Sequence, residues 1–142
     1  MNNILGMLGM MRKASRLCLG EDDCTDALMH GKARLLILPS DSDEKVHRNA
    51  DFMLRGHSTV KVVLPFDQGE LAAAVGLERC KMMAVTDLGF SQAFLKKLKE
   101  EYPGMFDTEF RLIEEKYQKT ERRKVEKPGV KGKKKFSGGG KE

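Results

Sequence analysis

The 142-residue sequence has no tryptophan, only three cysteines and no apolar run that approaches the length of a membrane span. Each shortage excludes something. Cys18, Cys24 and Cys80 are odd in number, form no Cys-x-x-Cys pair and have no histidine at ligand spacing. A disulfide framework and a zinc site are thereby excluded, and reduced, mostly buried thiols are expected. The apolar stretch from Met1 to Met11 has no basic residue ahead of it and is interrupted by Gly6 and Gly9. It is about half as long as a membrane helix, so no membrane partner is expected and a cytoplasmic location follows. The three histidines, His30, His47 and His57, are scattered, with no serine, cysteine or carboxylate beside them in the pattern of a nucleophile and its base. No catalytic residue, metal ligand, cofactor or small-molecule substrate is expected, and the chain reads as a non-enzymatic protein.

What is abundant is charge, and it is unevenly placed. The formal net charge is +5, yet residues 116–142 hold eleven Lys and Arg against three Glu, a net of +8, which leaves −3 for residues 1–115. A polyanionic partner is therefore implied by residues 116–142 and not by the body of the chain. Residues 126–142, rich in Lys and Gly and including Lys133, Lys134 and Lys135, cannot bury enough apolar surface to fold and are expected to be a disordered basic tail.

The remainder alternates between helical and strand periodicity. Ile4, Leu5, Leu8 and Met11 mark a first amphipathic helix with Arg12, Lys13 and Arg16 at and beyond its end. Leu17 to Leu19 form a short strand that turns at Gly20 into a helix from about Glu21 to Met29, with Glu21, Asp22 and Asp23 on the turn favoured by the helix dipole. Ala33 to Leu38 is a continuous apolar run, the pattern of a strand covered on both faces. A third helix, capped by Ser42 or Asp41, runs to about Leu54, with Val46, Ala50, Met53 and Leu54 facing inward. A strand from Thr59 to Leu64, a helix from Asp67 to Val75, a strand from Met82 to Val85 and a helix from about Phe90 to Glu101 complete the series. Thr86 to Gly89 lacks the Gly-rich run and lysine of a phosphate loop and serves as a strand exit that caps this helix. The nine methionines are expected to fill the core.

Strands separated by helices at this length predict an α/β fold, a three-layer α/β/α sandwich whose mixed four-stranded sheet carries helices on both faces. The domain spans residues 1–103. An appended helix follows over 104–125, where Phe106, Phe110, Ile113 and Tyr117 recur at three- and four-residue spacing.

The order basic helix, turn, Gly20, acidic-started helix, Gly31-Lys32-Ala33 and buried strand, followed by Met82 to Phe90, resembles the bacterial branch of the L-seven-Ae family of ribosomal proteins and kink-turn RNA binders. The resemblance covers roughly residues 1–99. It implies the same sandwich and an RNA site around Gly20, Asp22, Asp23 and Asp26, framed by Arg12, Lys13, Arg16, Lys32, Arg34, Arg79 and Lys81 at one end of the sheet. The family's second helix begins Gly-x-Asn-Glu-x-x-Lys, and here Asp22, Asp23 and Asp26 stand at the Asn, Glu and Lys positions. Asp23 still accepts from a guanine edge, Asp22 loses a donor amide, and Asp26 replaces a cation with a repelling charge. Each lost charge-assisted contact costs about 1.5–3 kcal/mol. The expectation is a monomeric, ribosome-associated binder of structured RNA. The alternative is a protein-interaction or structural module on the same fold.

Overall fold

The computed structural model describes residues 3–126. The elements follow in the order α1 (Asn3–Lys13), β1 (Leu17–Leu19), α2 (Glu21–Met29), β2 (Leu35–Leu38), α3 (Glu44–Leu54), β3 (Val60–Val63), α4 (Gln68–Ala74), β4 (Met83–Val85), α5 (Leu88–Glu101) and α6 (Asp107–Glu126). The four strands form one mixed sheet in the order β1-β4-β2-β3. The β4 strand runs antiparallel to both neighbours, with Leu17 and Leu35 each opposite Val85, whereas β2 and β3 are parallel. A parallel pair needs a crossover, and α3 supplies it.

The two-residue repeat of a strand explains the layers. All four residues of β2 are buried, as the unbroken apolar run requires. Leu35 and Ile37 join Met83, Val85, Val60 and Val62 in a core with α1, α4, α5 and α6, whereas Leu36 and Leu38 join Ala84 in a core with α2 and α3. The α/β/α sandwich is thus present, with unequal covers. The appended helix docks as its spacing predicts: Phe106 and Ile113 are buried, Gln92 of α5 donates to Glu114 at 2.9 Å, and the Lys99 ammonium lies 5.3 Å from the Phe110 ring centre.

Two local expectations are corrected. The cap of α3 is Asp43, whose carboxylate accepts from Val46 N–H, and not Ser42 or Asp41. Both of those side chains are engaged elsewhere, Ser42 donating to the Pro39 carbonyl and Asp41 accepting from the N–H of Gln68. In addition, β2 begins at Leu35 and not Ala33, because the N–H groups of Lys32 and Ala33 both return to the Ala27 carbonyl at the end of α2. The expected disordered tail, with Lys133, Lys134 and Lys135, lies outside the described residues.

Candidate nucleic-acid interface

The junction between β1 and α2 is built around one backbone conformation. Gly20 has φ 90° and ψ 161°, a region open essentially to glycine alone, and it occupies the N-cap of α2 with no side chain to accept from the first turn. The space where a Cβ would project is empty to 4 Å. Its N–H donates to the Met82 carbonyl at 2.9 Å, which ties the junction to the approach of β4. Cys80 reinforces the tie: its thiol donates to the Met82 carbonyl at 3.3 Å, and the sulfur also lies within reach of the Gly20 backbone. The loop from Leu77 to Lys81 is consequently held against the start of α2. Between them is a cleft of about 290 Å³ lined by Leu19, Gly20, Glu21, Leu77, Arg79 and Lys81. Its volume is at the lower end of ligand pockets, about 300 Å³.

The exposed face of α2 is acidic. Asp22, Asp23 and Asp26 are all exposed, and among the described residues none of them makes an ion pair. Asp22 and Asp26, four residues apart, share a face of the helix. Their field reaches inward. Burial first, then Asp23 and Asp26, hold the Cys18 thiol above its usual range, and burial pushes Cys24 much further in the same direction. Burial also raises Cys80 against the opposing backbone hydrogen bonds. All three thiols are thus shifted away from the thiolate form, and Cys24 and Cys80 are buried, as expected of reduced, mostly buried thiols.

The seven expected cations are not gathered at one end of the sheet. Arg79 and Lys81 lie beside Gly20. Arg16 and Arg34 lie at the opposite end, where the Arg16 carbonyl accepts from Thr86 N–H at 3.0 Å and Arg34 N–H donates to Val85 at 2.7 Å. Lys32 belongs with them through the turn that leaves α2. Arg12 and Lys13 form the last turn of α1, with an Arg12 guanidinium nitrogen 3.3 Å from where a Gly76 Cβ would stand. The cause is strand direction: β1 and β2 point the same way because each is antiparallel to β4, so residues that precede them cluster at one end and residues that follow β1 at the other. Among the described residues none of these seven makes an ion pair with a carboxylate.

Chemically, the Gly20 cleft offers the backbone of a helix start, the two cations Arg79 and Lys81 and one carboxylate, Glu21, a set able to make hydrogen bonds to an anionic ligand. Among the described residues no group of three His, Cys, Asp or Glu side chains is placed to hold a metal ion, and no helix is long and apolar enough to cross a membrane. No family profile and no curated protein matches the sequence. The fold is nevertheless shared. A solved protein of unknown function from Bacillus halodurans C superposes with a TM-score of 0.60 at 25% identity, covering 66% of this chain and 93% of its own.

Proposed function

We propose that this protein is a non-enzymatic, cytoplasmic and monomeric binder of structured RNA, associated with ribosomal RNA, in the manner of the L-seven-Ae proteins its sequence resembles. The observation that carries the reading is the cleft in which Arg79 and Lys81 stand beside Gly20 and the uncapped start of α2. Backbone N–H groups at a helix start attract an anion, and a guanidinium and an ammonium next to them add two phosphate contacts. Asp23 supplies an acceptor for a base edge, so phosphate and base can be engaged from one side. The missing side chain at Gly20 lets RNA approach the backbone closely.

A specific observation favours a second reading, a protein-interaction module. The unpaired carboxylates of Asp22, Asp23 and Asp26 repel phosphate, while a basic protein surface would neutralise them. The two readings separate in one experiment. Tagged full-length protein sedimented through a salt series should travel with ribosomal subunits at low salt and be released as salt rises, because each phosphate contact adds about 0.7–0.9 to the slope of log affinity against log salt. Release that is indifferent to salt, or an absence of co-sedimentation at any salt, would reject RNA binding.

A further inference from the structure

The end of the sheet remote from Gly20 holds cations on three separate elements. Arg16 precedes β1, Arg34 precedes β2, and Lys116 comes from the middle of α6. Lys116 reaches back to the sheet: its ammonium donates to the Ser58 carbonyl, two residues before Val60, whose N–H donates to the Arg34 carbonyl at 3.1 Å. The Lys116 ammonium lowers its affinity for a proton first through desolvation and then through the nearby Arg34 guanidinium. Two cations thus stand close together, and among the described residues neither has a carboxylate partner.

Lys116 is also a wall common to two clefts. One, of about 500 Å³, lies between α6 and the start of β3 and includes His57, Thr59 and Glu109; the other, of about 690 Å³, runs along α6 and includes Lys99, Lys119 and Arg122. The carboxylates bordering the larger cleft are largely committed. Glu114 accepts from Gln92 and Gln118, and Glu115 faces Arg111 at 3.5 Å, leaving Asp107 at the far end. Beyond Lys116, among the described residues, the exposed Lys119, Arg122 and Arg123 make no ion pair, whereas Lys124 faces Glu121 at 3.4 Å. A helix advances about 1.5 Å per residue, so Lys116 to Arg123 spans about 10 Å and carries four cations against one carboxylate, Glu121, which faces Lys124.

We propose that Arg34, Lys116 and the basic half of α6 form a second contact for RNA backbone phosphate, so that one RNA is held at both ends of the sheet. The proposal rests on the RNA-binding reading above and deepens it by giving α6 a role. Gly20 and Arg34 stand at opposite ends of the sheet and two strands apart, because β4 lies between β1 and β2; a strand length of about 13 Å and two strand spacings of about 4.8 Å put their backbones roughly 16 Å apart. An RNA seated at the Gly20 cleft therefore reaches the second site without a long detour. Free backbone phosphate suits paired cations that lack a carboxylate, and it would relieve the repulsion between Arg34 and Lys116.

The test uses the full chain, a kink-turn hairpin RNA and a plain RNA duplex, with affinity measured across a salt series. Arg34→Gln/Lys116→Gln should lower affinity about fivefold or more and reduce the salt slope by about 1.4–1.8, the share of two phosphate contacts. Because Lys116 also helps seat α6, the exposed pair Lys119→Gln/Arg122→Gln provides an independent arm and should reduce the slope comparably. Lys45→Gln on α3 should change neither quantity. If both double variants keep the wild-type slope while Arg79→Gln/Lys81→Gln reduces it, the second contact is wrong and the Gly20 cleft stands. If the wild-type protein binds neither RNA, the RNA reading itself fails. Tight binding to phosphatidylglycerol vesicles with none to RNA, lost in the same variants, would assign the surface to a membrane and overturn the proposal.

Discussion

The two faces of the sheet are built to different standards. Among the described residues, twenty buried ones, with Phe66, Phe94 and Phe106 among them, fill the space under four helices on one face; on the other, nine suffice, and Ala27, Ala33, Ala50 and Ala84 are four of them. Small side chains bring α2 and α3 close to the strands but bury little area per residue. Stability accordingly resides with the thick face, and the thin face is free to display α2 with its Gly20 start and acidic surface. Exposed Met29 and Phe52, at 72% and 69% accessibility, belong to α2 and α3 as well, so the thin cover is incomplete at its rim. The division separates what must hold the fold from what can vary for recognition.

The sharpest way to break this comparison is to open a cavity on each side of β2. Ile37→Ala, facing the thick layer, should cost near the top of the range of about 2–5 kcal/mol for large-to-small core changes, and Leu36→Ala, facing the thin layer, nearer the bottom. Thermal melts that order them the other way would show that the alanine-lined side is the tighter one. A harmless Leu36→Ala would mean that β2 is not covered on both faces.

A smaller effect is expected from Gly20→Ala. No contact is lost, yet a side chain at φ 90° and ψ 161° costs about 1–3 kcal/mol of backbone strain, and RNA affinity should fall with it. Melting and binding assays on the same variant check both parts. Unchanged stability would mean that the junction relaxes to an ordinary turn.

The acidic face of α2 can be converted instead of damaged. Asp22→Asn with Asp26→Lys restores an amide donor and a cation on one exposed helical face and should raise kink-turn affinity at least tenfold, about 1.4 kcal/mol, with little effect on stability. A duplex of equal length at the same salt is the control. An equal gain on both RNAs would show that α2 does not face the bend.

The mildest test concerns the edge of the thin layer, where Lys61 of β3 donates to Asp51 of α3 at 2.8 Å. The hydrogen bond from Lys61 is the main reason that the Asp51 carboxyl is held below its usual range. A carboxyl with a depressed folded value contributes stability above the ordinary Asp range and loses it as pH falls through the folded value. Asp51→Asn should therefore cost no more than about 1 kcal/mol at neutral pH, as exposed ion pairs do, and nothing once the carboxyl is protonated. A difference between variant and wild type that persists in strong acid would point to packing and not to charge.

Much of the architecture was legible because burial imposes periodicity. The unbroken Leu35–Leu38 run, the three- and four-residue spacing of α6 and the glycine after β1 each have one economical explanation, and the structure has it. Other features depend on choices made at a distance. Ser42 and Asp41 have the chemistry of a cap, but Pro39 and Gln68 claim them, and the role falls to Asp43, which was not among the expected caps. The split of the cations was hidden for a similar reason, since nothing local reveals that β4 lies between β1 and β2 and runs against both. Lys116 went unnoticed because the spacing of α6 advertises its apolar stripe, and a lysine beside Ser58 is visible only once α6 has docked.

The strand order also dictates when the sheet can exist at all. Among the described residues β4 is the last strand to be synthesised, yet it fills an interior position and is the strand with which β1 pairs. A nascent chain ending before Met83 can close the β2–β3 pair through the α3 crossover, but its β1 segment waits with both edges open. Such distant pairing is slow to nucleate and leaves unpaired strand edges exposed meanwhile. Residues 83–85 thus act as the closing clasp during synthesis: stalling upstream of them leaves an unfinished, association-prone chain, and stalling downstream leaves a complete sheet that still lacks the packing of α5 and α6.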